Sequence, residues 1–361
     1  GPPPREEMSS PKVRSRSRSP RCIGTNMTTA FCFPNLFLAG FQHCGSTALH
    51  QLMDRHPAIG VLRDRPEGHW LHKVVEAYRQ HGRHHAGTTM KRYLRRAAPR
   101  HLLGRTPFLL DGSRGYATEP PSWMPTLIRR VAGDSARVIL IVRDPVARLW
   151  SSMRRWCSDR EVSGELCAQL LRTELSEVFK TLAEGSTACG ASLPMGQERS
   201  GSRVEEILAT AWNRSLGVLF PGALHHCLWS TGAHEVPGVP VVNARTRGPG
   251  GGYVLELMHM MMGGLFGVHL LRWATVLPSS HILLVRSSSM RKHQQGVARC
   301  LASFLGIDER DFGGAPWPQG QSSGLLETNV GAGVRLALRR FYAQDWALLS
   351  SVVKTLGVRV C

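Results

Sequence analysis

The chain has 361 residues, 42% of them hydrophobic and 20% charged, an ordinary globular composition with room for one large α/β domain or two small ones. Lys and Arg number 45 against 26 Asp and Glu, a formal charge of +19. Such an excess draws a protein toward nucleic acid, anionic membrane or acidic polysaccharide without choosing among them, and a basic surface with no dedicated partner is the plain alternative.

No uncharged apolar run is long enough to cross a membrane. The nearest stretch, 253–271, contains Glu256, His259, His269 and the pair Gly263-Gly264, and reads as buried helices. The chain starts at Gly1 rather than Met, so a membrane anchor ahead of it is an open expectation. Nine cysteines lie at irregular spacing with no C-x-x-C pair, which does not suit zinc. Cys157 and Cys167 are near enough in sequence to pair in an oxidising compartment; free buried thiols are the alternative.

Residues 1–30 are rich in Pro, Ser and Arg, with R-S-R-S-R-S-P at Arg14–Pro20, and read as a disordered basic tail. The remainder, 31–361, reads as one domain. Leu36–Ala39 is a short apolar strand. It runs through a loop bounded by Gly40 and Gly45 into a helix that starts at Ser46 or Thr47 and stops near Pro57. A strand, a glycine-bounded loop and a helix start together make an anion site, because the first N–H groups of a helix lack intrahelical partners and carry partial positive charge.

Ile59–Leu62 is a brief strand that leads into Arg63–Trp70, R-D-R-P-E-G-H-W, a charged segment at a strand end, where open α/β sheets place their sites. Residues 71–105 read as helical and strongly basic, with four histidines between positions 72 and 85. Phe108–Leu110 is a third strand, ending in D-G-S-R-G-Y, and 120–131 is a helix after a proline start.

Arg137–Val142, R-V-I-L-I-V, is the clearest strand, a continuous apolar run of the central parallel type. It ends in R-D-P-V-A-R-L-W-S, where Asp144 can cap the next helix and Pro145 can occupy its first turn. Helical patterns follow over 162–185 and 203–216. A last strand is expected at His281–Val285, a helix at 291–305, and a long amphipathic helix at Val334–Leu356. The alternation implies an α/β fold with a P-loop-like parallel sheet of about five strands and helices on both faces.

The loop Gly40-Phe41-Gln42-His43-Cys44-Gly45-Ser46-Thr47 departs from the nucleotide-triphosphate loop G-x-x-x-x-G-K-[ST], because Ser46 stands where Lys belongs. Arg143, not an acidic pair suited to a metal, ends the central strand. Ser151 lies about two helical turns beyond it, on a face that can look back toward Arg143. An Arg fork plus a hydroxyl suits a second phosphate, so the two clamps point to a nucleotide phosphorylated at two places.

On these motifs the sequence resembles the PAPS-dependent sulfotransferases, in particular the Golgi carbohydrate branch that sulfates glycosaminoglycans, such as the N-acetylgalactosamine 4-sulfate 6-O-sulfotransferase type and the heparan sulfate enzymes. The family loop G-x-x-K-C-G-T-T-x-L is matched by G-F-Q-H-C-G-S-T-A-L, and R-D-P-V-x-R-L-x-S is matched at every fixed position. The acidic K-E-P-H-W-W segment is loosely similar to Arg65–Trp70. The stretches at 264–273 and 338–349 also fit, so the likeness covers 35–357 in scattered blocks.

The resemblance implies transfer of a sulfuryl group from PAPS to a sugar hydroxyl, with release of PAP and no metal. Gln42, His43, Cys44, Gly45, Ser46, Thr47 and Ala48 would hold the 5′-phosphosulfate, and Arg143 and Ser151 the 3′-phosphate. Such transfer needs a base near the acceptor hydroxyl and positive charge near the leaving oxygen. Glu67 is the expected base and His69 the runner-up; pairing of Glu67 with Arg63 or Arg65 is the structural alternative.

His43 replaces the family's Lys. An imidazole can do that work only when protonated or as a hydrogen-bond donor, and a bound anion favours the charged form. Arg114 replaces a Pro, so acceptor contacts are expected from Ser113 and Arg114 on a changed segment. The implied partner is an anionic or neutral glycan acceptor, not a specific nucleic acid, and the implied location is the Golgi lumen. The competing readings are a P-loop nucleotide kinase and a non-catalytic basic polyanion-binding protein.

Overall fold

The computed structural model describes residues 22–23, 31–62, 70–97, 106–113, 115–118, 124–169, 173, 175, 257, 260–312 and 332–361. Two short strands, β1 (Cys22–Ile23) and β2 (Phe31–Cys32), pair antiparallel, so one pairing reaches back across residue 30. The main sheet starts with β3 (Leu36–Gly40), followed by α1 (Ser46–Asp54), β4 (Ile59–Val61), α2 (Trp70–Ala97), β5 (Phe108–Asp111), α3 (Met124–Ala132), β6 (Arg137–Val142) and α4 (Pro145–Ser158). Next come α5 (Phe266–Ala274), β7 (Ile282–Arg286), α6 (Ser287–Lys292), α7 (Gln294–Leu305), α8 (Ala332–Leu356) and β8 (Arg359–Val360).

Six strands form one sheet in the order β4-β5-β3-β6-β7-β8, and every neighbouring pair is parallel. All five residues of β3 are buried, as are the last five of β6, which requires cover on both faces. Helices supply it. The α/β architecture matches the expectation, with one strand more than expected. β8 is only two residues long, beyond the reach of any periodicity, and it is set by its neighbours. The Cys361 N–H donates to Leu284 O at 2.8 Å, and a Cys300–Cys361 disulfide ties the edge to α7. Cys157 and Cys167 also form a disulfide, resolving the two alternatives for that pair.

From β3 the chain moves outward to β4, returns to β5, and then crosses over β3 to reach β6. The connections leaving β3 and β6 therefore diverge, which opens a crevice at their carboxyl ends. The register shifts between Leu38 and Gly40, and Ala39 O is left to accept the Ala117 N–H at 2.8 Å. This bulge re-aims the strand just before its loop.

Residues 70–97 are not one helix. Gly82, at φ 75° and ψ −172°, breaks α2 into halves, 70–81 and 83–97. The Trp70 and Tyr93 rings stack 6.2 Å apart, whereas 23 residues of straight helix would separate them by about 35 Å. The segment is a helical hairpin with its tip at Gly82. The expected helices before residue 124 and after residue 175 fall partly or wholly outside the described residues.

At the other flank, α5 packs on α8. Gly267 is required there, since a Cβ would meet the Asp345 carbonyl oxygen at 2.5 Å and the Leu349 nitrogen at 2.7 Å. Asp345 caps α5 from outside, accepting the Gly267 N–H at 2.9 Å and the Val268 N–H at 3.0 Å. Burial pushes its carboxyl up to about 7, against the opposing pull of those N–H groups. The folded protein thus holds a proton that the unfolded chain, with an ordinary value of 3.8, has released. This contribution to stability is fully present below about pH 4 and is lost as the pH rises to about 7. Asp345→Asn should flatten that slope by a few kcal/mol between pH 5 and 8, measured by urea unfolding; equal slopes in both proteins would refute the assignment.

Candidate functional site

The loop that leaves β3 sits at the mouth of the crevice. His43 has φ 63° and Gly45 φ 103°, so two left-handed residues fold the backbone back on itself before α1 begins. For Gly45 this conformation is easy; for His43 it costs on the order of 1–2 kcal/mol. Such turns aim successive N–H groups toward one point, and the N-terminus of α1 adds its own. Gly45 and Thr47 are exposed, while Gln42, His43 and Ala48 are half-buried. Ser46, the first residue of α1, is 1% exposed, and its Oγ has no hydrogen-bond partner among the described residues.

Two arginines hold this loop from β6 and α4. Arg143 Nη1 donates to His43 O at 3.2 Å, and Arg148 Nε donates to Gln42 O at 3.1 Å. Arg143 follows directly after the last residue of β6. Arg148 is carried on the first turns of α4, whose start is set as expected: the Asp144 side chain accepts the Ala147 N–H at 2.7 Å and Pro145 opens the helix. The segment Arg143–Ser151 therefore meets the loop in space, although a hundred residues separate them in sequence. Ser151 is half-buried on α4.

Arg148 is a further fixed position of R-D-P-V-x-R-L-x-S whose role the sequence does not single out. It is 3% exposed, and burial lowers its pKa. Its polar partners among the described residues are carbonyls: Gln42 O and, through Nη1, Met260 O. Two further side chains take the next carbonyls in line. Tyr342 donates its hydroxyl to Met261 O at 2.9 Å, and His269 Nε2 lies 3.3 Å from Met262 O. The two glycines that follow make this bracket possible. A Cβ on Gly263 would overlap the Arg148 guanidinium, and one on Gly264 would lie 2.9 Å from the Tyr342 ring.

Cys44 is wholly buried between the two arginines. Their charges pull its thiol down, but burial dominates and pushes it up to about 12. It is a neutral packing group, not a nucleophile. Phe41, also buried, packs edge-on against Phe266 of α5 at 4.6 Å. From α6, Met290 comes within 3.2 Å of where a Gly45 Cβ would lie. Arg272, in α5, donates to Ala117 O at 2.6 Å, and burial lowers its pKa to about 10. Within the loop, Gly45 and Thr47 are the exposed residues, and Phe41, Cys44 and Ser46 are the buried ones.

The end of β5 is a second polar centre. Asp111, 1% exposed, accepts four hydrogen bonds: from Ser113 N at 3.0 Å, Ser113 Oγ at 2.6 Å, Tyr93 Oη at 2.7 Å and Tyr116 Oη at 3.0 Å. Burial and then the Asp111 charge raise both phenols well above their ordinary pKa, which keeps them as neutral donors. Tyr116 Oη also accepts the Leu71 N–H at 3.0 Å. The network clips the root of the hairpin to the sheet edge. Ser113, expected to touch the acceptor, is 2% exposed and turned onto Asp111. Gly112 is needed because His50 of α1 occupies the space of a Cβ there. Glu67, His69 and Arg114 lie outside the described residues. Among the described residues no group of three His, Cys, Asp or Glu side chains could hold a metal ion.

No protein-family model and no curated protein sequence matches the chain. Among solved structures, a sulfotransferase from Alicyclobacillus acidocaldarius aligns over 90% of this chain and 96% of its own, at 14% identity and a TM-score of 0.49. At that distance the neighbour's chemistry does not carry over, and residue roles rest on the geometry above.

The bracket around Arg148 yields a direct test. Gly263→Ala should displace the guanidinium from Gln42 O and Met260 O and lower Tm by about 2–6 °C, the equivalent of roughly 1–3 kcal/mol. An unchanged Tm would show that the tight fit at Gly263 is not needed.

Proposed function

We propose that this protein is a sulfotransferase that moves a sulfuryl group from PAPS to a hydroxyl of a carbohydrate acceptor. One observation carries the reading: the Arg143 guanidinium bonds the His43 carbonyl, so the two anion-binding motifs of the sequence stand side by side at the sheet's switch point. The residues present suit a doubly phosphorylated nucleotide. The loop from Gln42 to Ala48 offers backbone N–H groups and the buried Ser46 hydroxyl to the phosphosulfate. Arg143, just after β6, and Ser151, on α4, would hold the 3′-phosphate.

The chemistry is in-line displacement at sulfur. The acceptor oxygen forms a bond to sulfur while the bond from sulfur to the leaving phosphate oxygen breaks, and PAP departs. Glu67 takes the acceptor proton, with His69 as the alternative base. His43, as a protonated imidazole or an N–H donor, offsets the charge that develops on the leaving oxygen. The disulfides Cys157–Cys167 and Cys300–Cys361 suit an oxidising lumen such as the Golgi.

A ligand that binds only the folded state raises its stability. PAP at about a hundred times its Kd should raise Tm by several degrees, on the order of 5 °C, with little effect of ADP or ATP–Mg. Arg143→Ala should abolish most of that shift. The reading fails if PAP leaves Tm unmoved, if ATP–Mg shifts it more than PAP does, or if Arg143→Ala responds as the wild type.

A further inference from the structure

Three histidines meet at the tip of the hairpin of residues 70–97. The two halves of α2 join at Gly82, where the backbone leaves the helical conformation. His81 ends the first half, and His84 and His85 lie in the first turn of the second. Across that break the His81 and His85 rings still stand 5.0 Å apart, and those of His84 and His85 5.9 Å. All three residues are exposed. Among the described residues, no side chain beyond the chain neighbours of Gly82 lies within 4 Å of where its Cβ would stand, so the tip is open. The apolar contacts that hold the hairpin are at its other end, where Trp70, Leu71, Tyr93 and Leu94 are buried and the Asp111 network pins both arms.

A transition metal sits about 2.0–2.1 Å from a ligating imidazole nitrogen, hence about 3.2 Å from the ring centroid. Two rings that subtend about 90–109° at one metal therefore have centroids about 4.5–5.2 Å apart. The His81–His85 separation of 5.0 Å falls in that window, and the His84–His85 separation of 5.9 Å lies above it. We propose that His81 and His85 form a two-imidazole chelate for a divalent transition metal ion such as Zn²⁺, Ni²⁺ or Cu²⁺, with the remaining positions taken by water or an anion. Imidazole ligands select these ions over Mg²⁺ and Ca²⁺, which require oxygen. Among the described residues no set of three His, Cys, Asp or Glu can close around an ion, so this is a surface chelate and not a structural zinc site. The bound ion ties the last turn of the first half-helix to the first turn of the second and holds the angle at Gly82. Arg79 and Arg83 adjoin the pair in sequence and oppose a cation, so one ring alone does not suffice and both are needed. The proposal does not rest on the sulfotransferase reading.

The test is calorimetric titration of the full chain, first stripped with a chelator, with Zn²⁺, Ni²⁺ and Mg²⁺ in turn. Wild type should bind Zn²⁺ and Ni²⁺ and ignore Mg²⁺. The chain holds 16 histidines, so the site is identified by the one binding event that the variants remove. His81→Ala and His85→Ala should each weaken that Ni²⁺ event by about tenfold or more, and the double variant should lose little beyond either single one, as expected when two ligands act as a unit. His84→Ala should stay within about threefold of wild type. His81→Gln and His85→Gln replace the alanine variants if either fails to fold. Ni²⁺ affinity within about twofold of wild type in a folded His81 or His85 variant overturns the proposal. So does a larger loss in His84→Ala than in His81→Ala or His85→Ala, or binding of Mg²⁺ as tight as that of Ni²⁺.

Discussion

The candidate site depends on a guanidinium that never reaches solvent. Arg148 is buried under α4, and desolvation works against its charge, so its hydrogen bonds must be good ones. It finds them in two backbone carbonyls from distant parts of the chain, Gln42 O in the loop and Met260 O in the bracket before α5. Carbonyls satisfy the donors without cancelling the charge. Among the described residues no carboxylate pairs with Arg148, and the loop stands over this cation with a helix N-terminus beneath it, an arrangement that favours an anion.

Every tight contact nearby protects that arrangement. Gly263 yields room for Arg148, Gly264 for Tyr342, and Gly267 for the backbone of α8. Asp345 closes the circuit by capping α5, whose Phe266 packs on the loop residue Phe41. On the far side, Asp111 gathers Tyr93, Tyr116 and Ser113 and so fixes the hairpin root next to the 63–69 segment. The two halves of the crevice are held by different physics: desolvated cations on carbonyls at β6, and a buried carboxylate fully met by donors at β5.

How much of this was legible in the sequence depends on the range of the interaction. β6 could be read directly because a central parallel strand is apolar along its whole length, and the start of α4 because Asp144 and Pro145 act locally. The loop was visible from its glycines and the helix start beside it. β8 was not, because two residues have no pattern and their pairing comes from β7. The break at Gly82 was hidden inside a strongly helical composition and shows itself in the backbone angles of Gly82 and in the Trp70–Tyr93 stacking. Arg148 was in plain view within its motif, but its role could not be read, because both of its acceptors lie more than a hundred residues away. Ser113 is expected at the acceptor through the family resemblance alone, and the fold adds that its hydroxyl donates to Asp111.

The central claim is that this loop, with His43 in the place of a lysine, supports sulfuryl transfer. The most direct measurement is the rate of PAP formation from PAPS with anionic and neutral polysaccharide acceptors across pH, for wild type and His43→Lys. The account predicts acceptor-dependent PAP release whose rate falls in wild type as the imidazole loses its proton, and a flatter profile in His43→Lys. No PAP release with any polysaccharide at any pH in either protein, or the same pH profile in both, would contradict it.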